Sequence, residues 1–276
     1  MKTYPISFLL FFHQLSLGGL FALAITPFHQ LERGFYKSTA GVLLIIALMG
    51  LWGKLDLYRK AFILDAGVET RLEMLLYVLF VVCLTLYLIS LWGERVRLRA
   101  RTFACSLLLG LGGLLMASFS FHSAPFWSIE TFFYPVSFVL SSLLLGAAIV
   151  GMLIGHWYLI DTGQSIDPFL RTFKFFVVVL VIQTAFLVVS PILYYLLGSQ
   201  ETVIGLDRLW RDHILLIFSR LLVSQVGPLV LSYMIWQTLK IPNTMAATGL
   251  FYIALLGVIA GEILGRRLLA LVSLPL

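Results

Sequence analysis

FFHQLSLGGLFALAITP, residues 11–27, is the stretch of this chain that most directly indicates its fold. It belongs to an apolar run at residues 5–27, which as a helix would be about 34 Å long, enough to cross the hydrocarbon core of a bilayer. His13 and Gln14 lie inside this run, one turn before the pair Gly18 and Gly19. Polar side chains are costly in hydrocarbon, whereas small residues let helices approach closely. The stretch therefore predicts a packed membrane-spanning helix that carries functional side chains.

The composition extends this interpretation to the whole chain. The 276 residues are 61% hydrophobic and 12% charged, and the mean hydropathy is +1.01. A soluble domain contains about 25% charged residues, so this composition is typical of an integral membrane protein. We expect one all-α domain over residues 1–276, with eight transmembrane helices in two four-helix bundles. The predicted segments are 5–27, 38–54, 71–92, 102–120, 134–158, 172–197, 213–238 and 245–270.

The charge pattern predicts an orientation in the membrane. An even number of spans places both termini on one side, here called side A, and the opposite side is side B. GERVRLRAR, residues 93–101, falls in a short predicted loop on side B, where basic residues outnumber acidic ones. Because cytoplasmic loops are rich in Lys and Arg, we expect side B in the cytoplasm and both termini on the periplasmic side of a bacterial-type inner membrane. The basic excess thus reflects loops and lipid contact, and nucleic-acid binding is excluded.

Two further features bear on processing and redox chemistry. The first run lacks a small-residue cleavage site, so we expect a retained helix rather than a signal peptide. Cys83 and Cys105 fall inside apolar segments without metal-ligand spacing. They predict neither a disulfide framework nor a metal site in the sequence.

Ionisable residues collect in the half of the predicted bundle that is nearer side A. Inside a bilayer each such group is a candidate for function, because burial without a partner is expensive. Glu262 precedes Arg266 by one helical turn, which favours an intrahelical ion pair, and Arg220 on the neighbouring helix could pair with Glu262. The residues of this set are His13, His122, His213, Arg220, Glu262 and Arg266.

A lipophilic quinone suits such an arrangement. Its ring and tail need an apolar slot, its two oxygens need hydrogen-bond donors, and its reduction needs a proton path that reaches water. The sequence contains no zinc-protease spacing, no Gly-rich phosphate loop and no Ser–His arrangement that would indicate a different chemistry.

Three stretches of the sequence also favour a quinone-binding membrane protein. HQLSLGG (13–19) places a polar residue one turn before a Gly-Gly pair, LDLYRKAF (55–62) precedes an acidic residue, Glu69 or Glu73, that opens the third helix, and GEILGRR (261–267) closes the last helix. In these features the chain resembles the eight-helix membrane-anchor subunits of dimethyl-sulfoxide and polysulfide reductases, the NrfD-like group. Some relatives carry a histidine in the loop after helix two, where this chain has Asp56.

The resemblance implies a quinone pocket among the first four helices and no bound redox metal in this subunit. It also implies an iron–sulfur partner subunit, docked over the pocket, that exchanges electrons with the quinone. That partner would contact a molybdenum-type or other catalytic redox subunit.

The leading hypothesis is a quinone-reactive membrane-anchor subunit of a multi-subunit respiratory oxidoreductase, with menaquinone or ubiquinone as its quinone. In this hypothesis His13 binds one quinone oxygen and Gln14 orients its neighbours. The second oxygen and the proton path are assigned to Asp56, Tyr58, Arg59 and Glu73. A supporting polar network is assigned to His122, Arg220, Glu262 and Arg266.

Two other classes of function stay open at this point. The chain could be a b-type cytochrome whose haem b is ligated by two of His13, His122 and His213. It could also be a transporter or a purely structural membrane subunit, although two matching halves are not visible in the sequence.

Overall fold

The computed structural model describes residues 4–26, 30–63, 68–121, 127–160, 163, 165–241 and 243–275. For residues 58 and 60–63 it describes the helix but not the side chains. Over these residues the chain forms ten α-helices and one π-helical turn, and no strand. The elements are α1 (Tyr4–Ile25), α2 (Arg33–Ile63), α3 (Val68–Ser90), α4 (Val96–Ser120), α5 (Ile129–Ile160), α6 (Asp167–Leu197), α7 (Gln200–Asp212), α8 (Ile214–Leu221), the π turn (Leu222–Val226), α9 (Gly227–Lys240) and α10 (Thr244–Val272).

Eight of these units are long and apolar enough to cross a membrane, and they confirm the predicted all-α, eight-span architecture. Seven are single helices, and the seventh span combines α8, the π turn and α9. The remaining helix, α7, is short and amphipathic: Thr202, Leu206 and Leu209 are buried along one face.

The spans form two rings of four helices. In the first ring α1 contacts α2, α2 contacts α3, α3 contacts α4, and α4 returns to α1. In the second ring α5, α6, α9 and α10 contact one another in the same cyclic manner. The rings meet mainly along α1 and α5, which are the most buried spans. The predicted pair of four-helix bundles is therefore present.

The contact between α1 and α5 depends on two glycines. A Cβ atom on Gly18 would lie 1.7 Å from the Ser142 carbonyl oxygen, and one on Gly146 would lie 1.8 Å from the Gly18 carbonyl carbon. Two hydrogen bonds of 2.9 Å cross the same contact, from Gln14 Nε2 to the Phe138 oxygen and from Ser142 Oγ to the Gln14 oxygen. Such close packing is how helices associate where water supplies no hydrophobic driving force.

Two predicted loops are helical, which corrects the sequence analysis. Within the segment 55–70 between the second and third predicted spans, residues 55–63 are the last part of α2, because they contain no Gly or Pro, and residues 68–70 begin α3. The loop expected at 198–212 is α7. Its N-terminus is capped by Ser199 and by Glu130, whose Oε1 accepts bonds from the Ser199 amide at 2.6 Å and the Thr202 hydroxyl at 2.7 Å.

Several spans also begin earlier than predicted. The fourth begins at Val96 rather than residue 102, so that most of the basic run at 93–101 lies on the first turns of α4 rather than in a loop. Arg97 and Arg101 are exposed there and Arg99 is half-buried, and long basic side chains can leave the hydrocarbon while the backbone stays helical. Hydropathy alone therefore underestimates the length of such helices.

The α1–α5 contact generates a stability prediction. Gly146→Val places a branched side chain against the α1 backbone, and we expect it to lower the free energy of unfolding by about 2 kcal/mol or more. The measurement is thermal unfolding in mild detergent, followed by circular dichroism. Gly41→Ala on α2 is the control, since a Cβ there has no neighbour within 4 Å. Equal midpoints for the two variants would contradict the assigned role of the contact.

Candidate functional site

The first polar centre surrounds His13, in the middle of α1. Its side chain is fully buried, and Nε2 lies 3.0 Å from the Gly110 carbonyl oxygen on α4. A carbonyl only accepts, so Nε2 carries the proton and, in a neutral imidazole, Nδ1 is an acceptor. Nδ1 is buried and has no hydrogen-bond partner among the described residues. Such an atom fits a ligand that brings its own donor.

The walls around the His13 ring come from α3 and α4. The ring centroid lies 4.5 Å from that of Tyr77 and 5.4 Å from that of Phe80. On the α4 side, a Cβ on Gly113 would approach His13 Cε1 to 3.1 Å. The glycines of α4 thus make room for the imidazole, and two aromatic residues of α3 hold its orientation.

A buried ion pair lies between this ring and side A. Lys54 near the end of α2 pairs with Glu73 near the start of α3, and each residue is 3% exposed. Lys54 Nζ also lies 4.9 Å from the centroid of the Tyr77 ring, and the Tyr77 hydroxyl donates to the Ala47 oxygen at 2.9 Å. We call His13, Lys54, Glu73 and Tyr77 the His13 cluster. A ring–ring contact, a cation–ring contact and an ion pair connect these four side chains from mid-bundle towards side A.

A second polar centre lies in the α5–α10 bundle. Glu262 on α10 accepts a bond at Oε1 from Gln183 Nε2, at 2.7 Å, and one at Oε2 from Arg266 Nη2, at 3.0 Å. Arg220 Nη2 lies 3.6 Å from Oε1. All four side chains are buried. We call Gln183, Arg220, Glu262 and Arg266 the Glu262 cluster. It confirms both ion pairs expected from the sequence.

The position of Arg220 depends on a row of glycines on α10. Gly257, Gly261 and Gly265 follow one another at four-residue spacing and face the π turn and α8. A Cβ on Gly265 would lie 1.1 Å from Arg220 Nη1, and one on Gly261 would lie 1.9 Å from Ser224 Cβ. The guanidinium therefore rests directly on the α10 backbone.

The structure separates several of the residues assigned to quinone binding. His13 and Glu73 belong to one cluster, whereas Asp56 and Arg59 are exposed on the last turns of α2. Gln14 bonds to α5 rather than to the His13 cluster. The side chain of Tyr58 lies outside the described residues, as does His122.

Two of the histidines considered as haem ligands, His13 and His213, lie in different parts of the fold. His13 is in the α1–α4 bundle, whereas His213 is half-buried at the junction of α7 and α8, beside the other bundle. The described part of the chain contains no group of three His, Cys, Asp or Glu side chains that could hold a metal ion.

Sequence reasoning missed three buried residues of these clusters. Lys54 was absent from the predicted site because it lies at the end of an apolar segment. Tyr77 follows Glu73 by one turn on the buried face of α3, so the helical period pointed to it. Gln183 lies within the apolar run that forms α6, and its partner Glu262 is 79 residues away in the sequence.

Comparison of the chain with protein-family models, with curated proteins and with solved structures gives no match. The site must therefore be interpreted from its own geometry.

The Glu262 cluster generates a second stability prediction. Glu262→Gln leaves two buried guanidinium groups without a counter-charge, and we expect a loss of about 3–5 kcal/mol in the free energy of unfolding. Thermal unfolding in detergent measures the change. Glu201→Gln, which alters an exposed carboxylate on α7, is the matched control and should leave the midpoint unchanged. A Glu262→Gln midpoint equal to that of the control would show that the cluster is not a structural ion pair.

Proposed function

We propose that the chain is the quinone-reactive membrane-anchor subunit of a multi-subunit respiratory oxidoreductase, with its quinone site at the His13 cluster. The observation that carries the proposal is His13 Nδ1, a buried acceptor with no partner among the described residues, in the middle of the α1–α4 bundle. Buried polar atoms are nearly always hydrogen-bonded, so an exception at this depth is a candidate ligand contact.

The chemistry of His13 favours a hydroxyl as its partner. Because Nε2 donates to the Gly110 carbonyl, Nδ1 of the neutral ring accepts, and the hydroxyl of a hydroquinone is a suitable donor. A bound menaquinone or ubiquinone would supply two-electron, two-proton redox chemistry. The imidazole would hold the proton released by the ligand at Nδ1, and the aromatic rings of Tyr77 and Phe80 would flank the reacting region.

The Lys54–Glu73 pair lies where a proton path to side A would begin. Glu73 is a carboxylate near the first turn of α3, and exposed Asp56 and Arg59 lie beyond it on α2. Lys54 would hold the Glu73 carboxylate in position as a proton acceptor between His13 and water. Asp56 and Arg59 are thus proposed to act at the aqueous end of the path, not on the quinone.

Partner docking is proposed on side A. The amphipathic helix α7 and the end of α2 both belong to that side, and connecting segments on one face are where partners commonly bind. The proposed partners are an iron–sulfur subunit and, through it, a catalytic redox subunit. The proposed setting is a bacterial-type inner membrane with both termini on the periplasmic side.

The quinone site is tested with His13→Leu. We expect binding of short-chain menaquinol and ubiquinol analogues to weaken at least about tenfold, because the variant removes one buried hydrogen bond to the ligand. Equilibrium titration of the complex in native membranes measures this, together with quinol turnover. His156→Leu is the control: this histidine is exposed at side B and bonds only Tyr252 among the described residues.

The same variant also distinguishes a loss of quinone binding from a loss of folding. Thermal unfolding of His13→Leu reports any loss of folding, and the control reports any general effect of losing an imidazole. An assembled His13→Leu complex with full quinol turnover would disprove the assignment of His13.

Partner binding is tested by purification in mild detergent. We expect a copurifying chain that carries iron–sulfur clusters, detected by low-temperature electron paramagnetic resonance. A visible spectrum of the same sample provides the control for haem. A Soret band without an iron–sulfur partner would favour the b-type cytochrome, and substrate flux in liposomes without any effect of quinone analogues would favour a transporter.

A further inference from the structure

A cavity of about 240 Å³ lies in the α5–α10 bundle, away from the His13 cluster. It is enclosed by α6, α7, α8 and α10, and every residue that lines it is apolar except Arg220. One water molecule occupies about 30 Å³ in the liquid, so the space is large enough for part of an organic ligand. An apolar cavity with a single charged group on its wall is typical of a site for an amphiphilic molecule.

Arg220 lacks hydrogen-bond acceptors in this environment. The residue is 4% exposed, and its buried Nε has no hydrogen-bond partner in the part of the chain that the structure describes. Its only ionic contact there, with Glu262, is 3.6 Å long, beyond the usual hydrogen-bond range. A guanidinium carries five N–H donors, so leaving them unpaired in a buried site is expensive.

The net positive charge of the Glu262 cluster also favours an anionic group beside Arg220. One carboxylate faces two guanidinium groups, and the shorter contact is made by Arg266 at 3.0 Å. Arg220 is therefore the less compensated cation of the pair. The group that would complete it is an anionic oxygen, such as that of a carboxylate or a phosphate.

The rim of the cavity shows where its ligand comes from. Val188 and Ile192 on α6 are 56% and 55% exposed, and Trp210 on α7 is 39% exposed. Exposed aliphatic side chains on a membrane span face lipid, and tryptophan is typical of the membrane–water interface. The rim thus opens towards the bilayer near side A, where the heads of lipids lie.

We propose that this cavity binds a single-chain anionic membrane amphiphile, with its carboxylate or phosphate oxygens on Arg220 and its chain between α6 and α8. The site depends on neither the His13 cluster nor the quinone proposal. α7 covers the site through Leu206 and Leu209, so a bound ligand would also hold α7 against α6 and α10.

The experiment compares matched probes on the purified full chain in phosphatidylcholine nanodiscs. Palmitate and lysophosphatidate are the anionic probes, and hexadecanol is the neutral one, each measured by equilibrium binding at alkaline pH where the carboxylate is ionised. The variants are Arg220→Gln, which removes the cation, and Ile192→Trp, which fills the rim without touching the buried charges. Arg267→Gln is the control, because Arg267 is exposed on the same helix and contacts Tyr4.

We expect the better anionic probe to bind at least about tenfold more tightly than hexadecanol. Arg220→Gln should abolish this preference, Ile192→Trp should weaken all probes, and Arg267→Gln should change nothing. Tighter binding of lysophosphatidate identifies phosphate as the head, and tighter binding of palmitate identifies a fatty-acid carboxylate.

Three results would overturn the proposal. They are equal binding of anionic and neutral probes, an anionic preference that persists in Arg220→Gln, and unchanged binding in Ile192→Trp. If Arg220→Gln does not fold, the comparison of wild type with Ile192→Trp and with the neutral probe still decides the outcome.

Discussion

The close parallel contact of α1 with α5 is the interaction on which the rest of the molecule depends. Lipid gives helices no hydrophobic reason to associate, so the two bundles stay together through packing at Gly18 and Gly146 and through the bonds that Gln14 and Ser142 make across the contact. These bonds also set the rotation of α1 about its axis. With Gln14 directed at α5, the adjacent His13 reaches α4, where Gly110 accepts its bond.

Each bundle encloses charges, and the two differ in how those charges are balanced. In the first bundle Lys54 and Glu73 form an ion pair, whereas His13 Nδ1 has no hydrogen-bond partner among the described residues. In the second bundle Glu262 must serve two guanidinium groups, and Arg220 remains undercompensated. A buried ion pair stabilises little by itself, because desolvation offsets most of the attraction. The polar groups left over after pairing are therefore the better guide to function.

The parts of the fold that depend on local sequence could be predicted. Eight apolar segments gave the span count, and the four-residue spacing of Glu262 and Arg266 indicated their ion pair. The parts that depend on distant partners could not. The α7 helix is capped by Glu130, 69 residues before Ser199, and Lys54 is buried only because α3 brings Glu73 to it. Hydropathy identifies neither contact, because it does not include partners from another helix.

The His13 and Arg220 sites would bind ligand groups of opposite hydrogen-bonding character. His13 Nδ1 is an acceptor in need of a donor, whereas the Arg220 guanidinium holds donors in need of acceptors. A ligand with a neutral hydroxyl suits the first and an anionic oxygen suits the second, so one molecule would not serve both equally. Phe138 lies between them, because its carbonyl accepts from Gln14 beside His13 and its ring lies 5.4 Å from the Arg266 guanidinium. α5 is therefore a structural element beside both sites, which would take chemically distinct ligands.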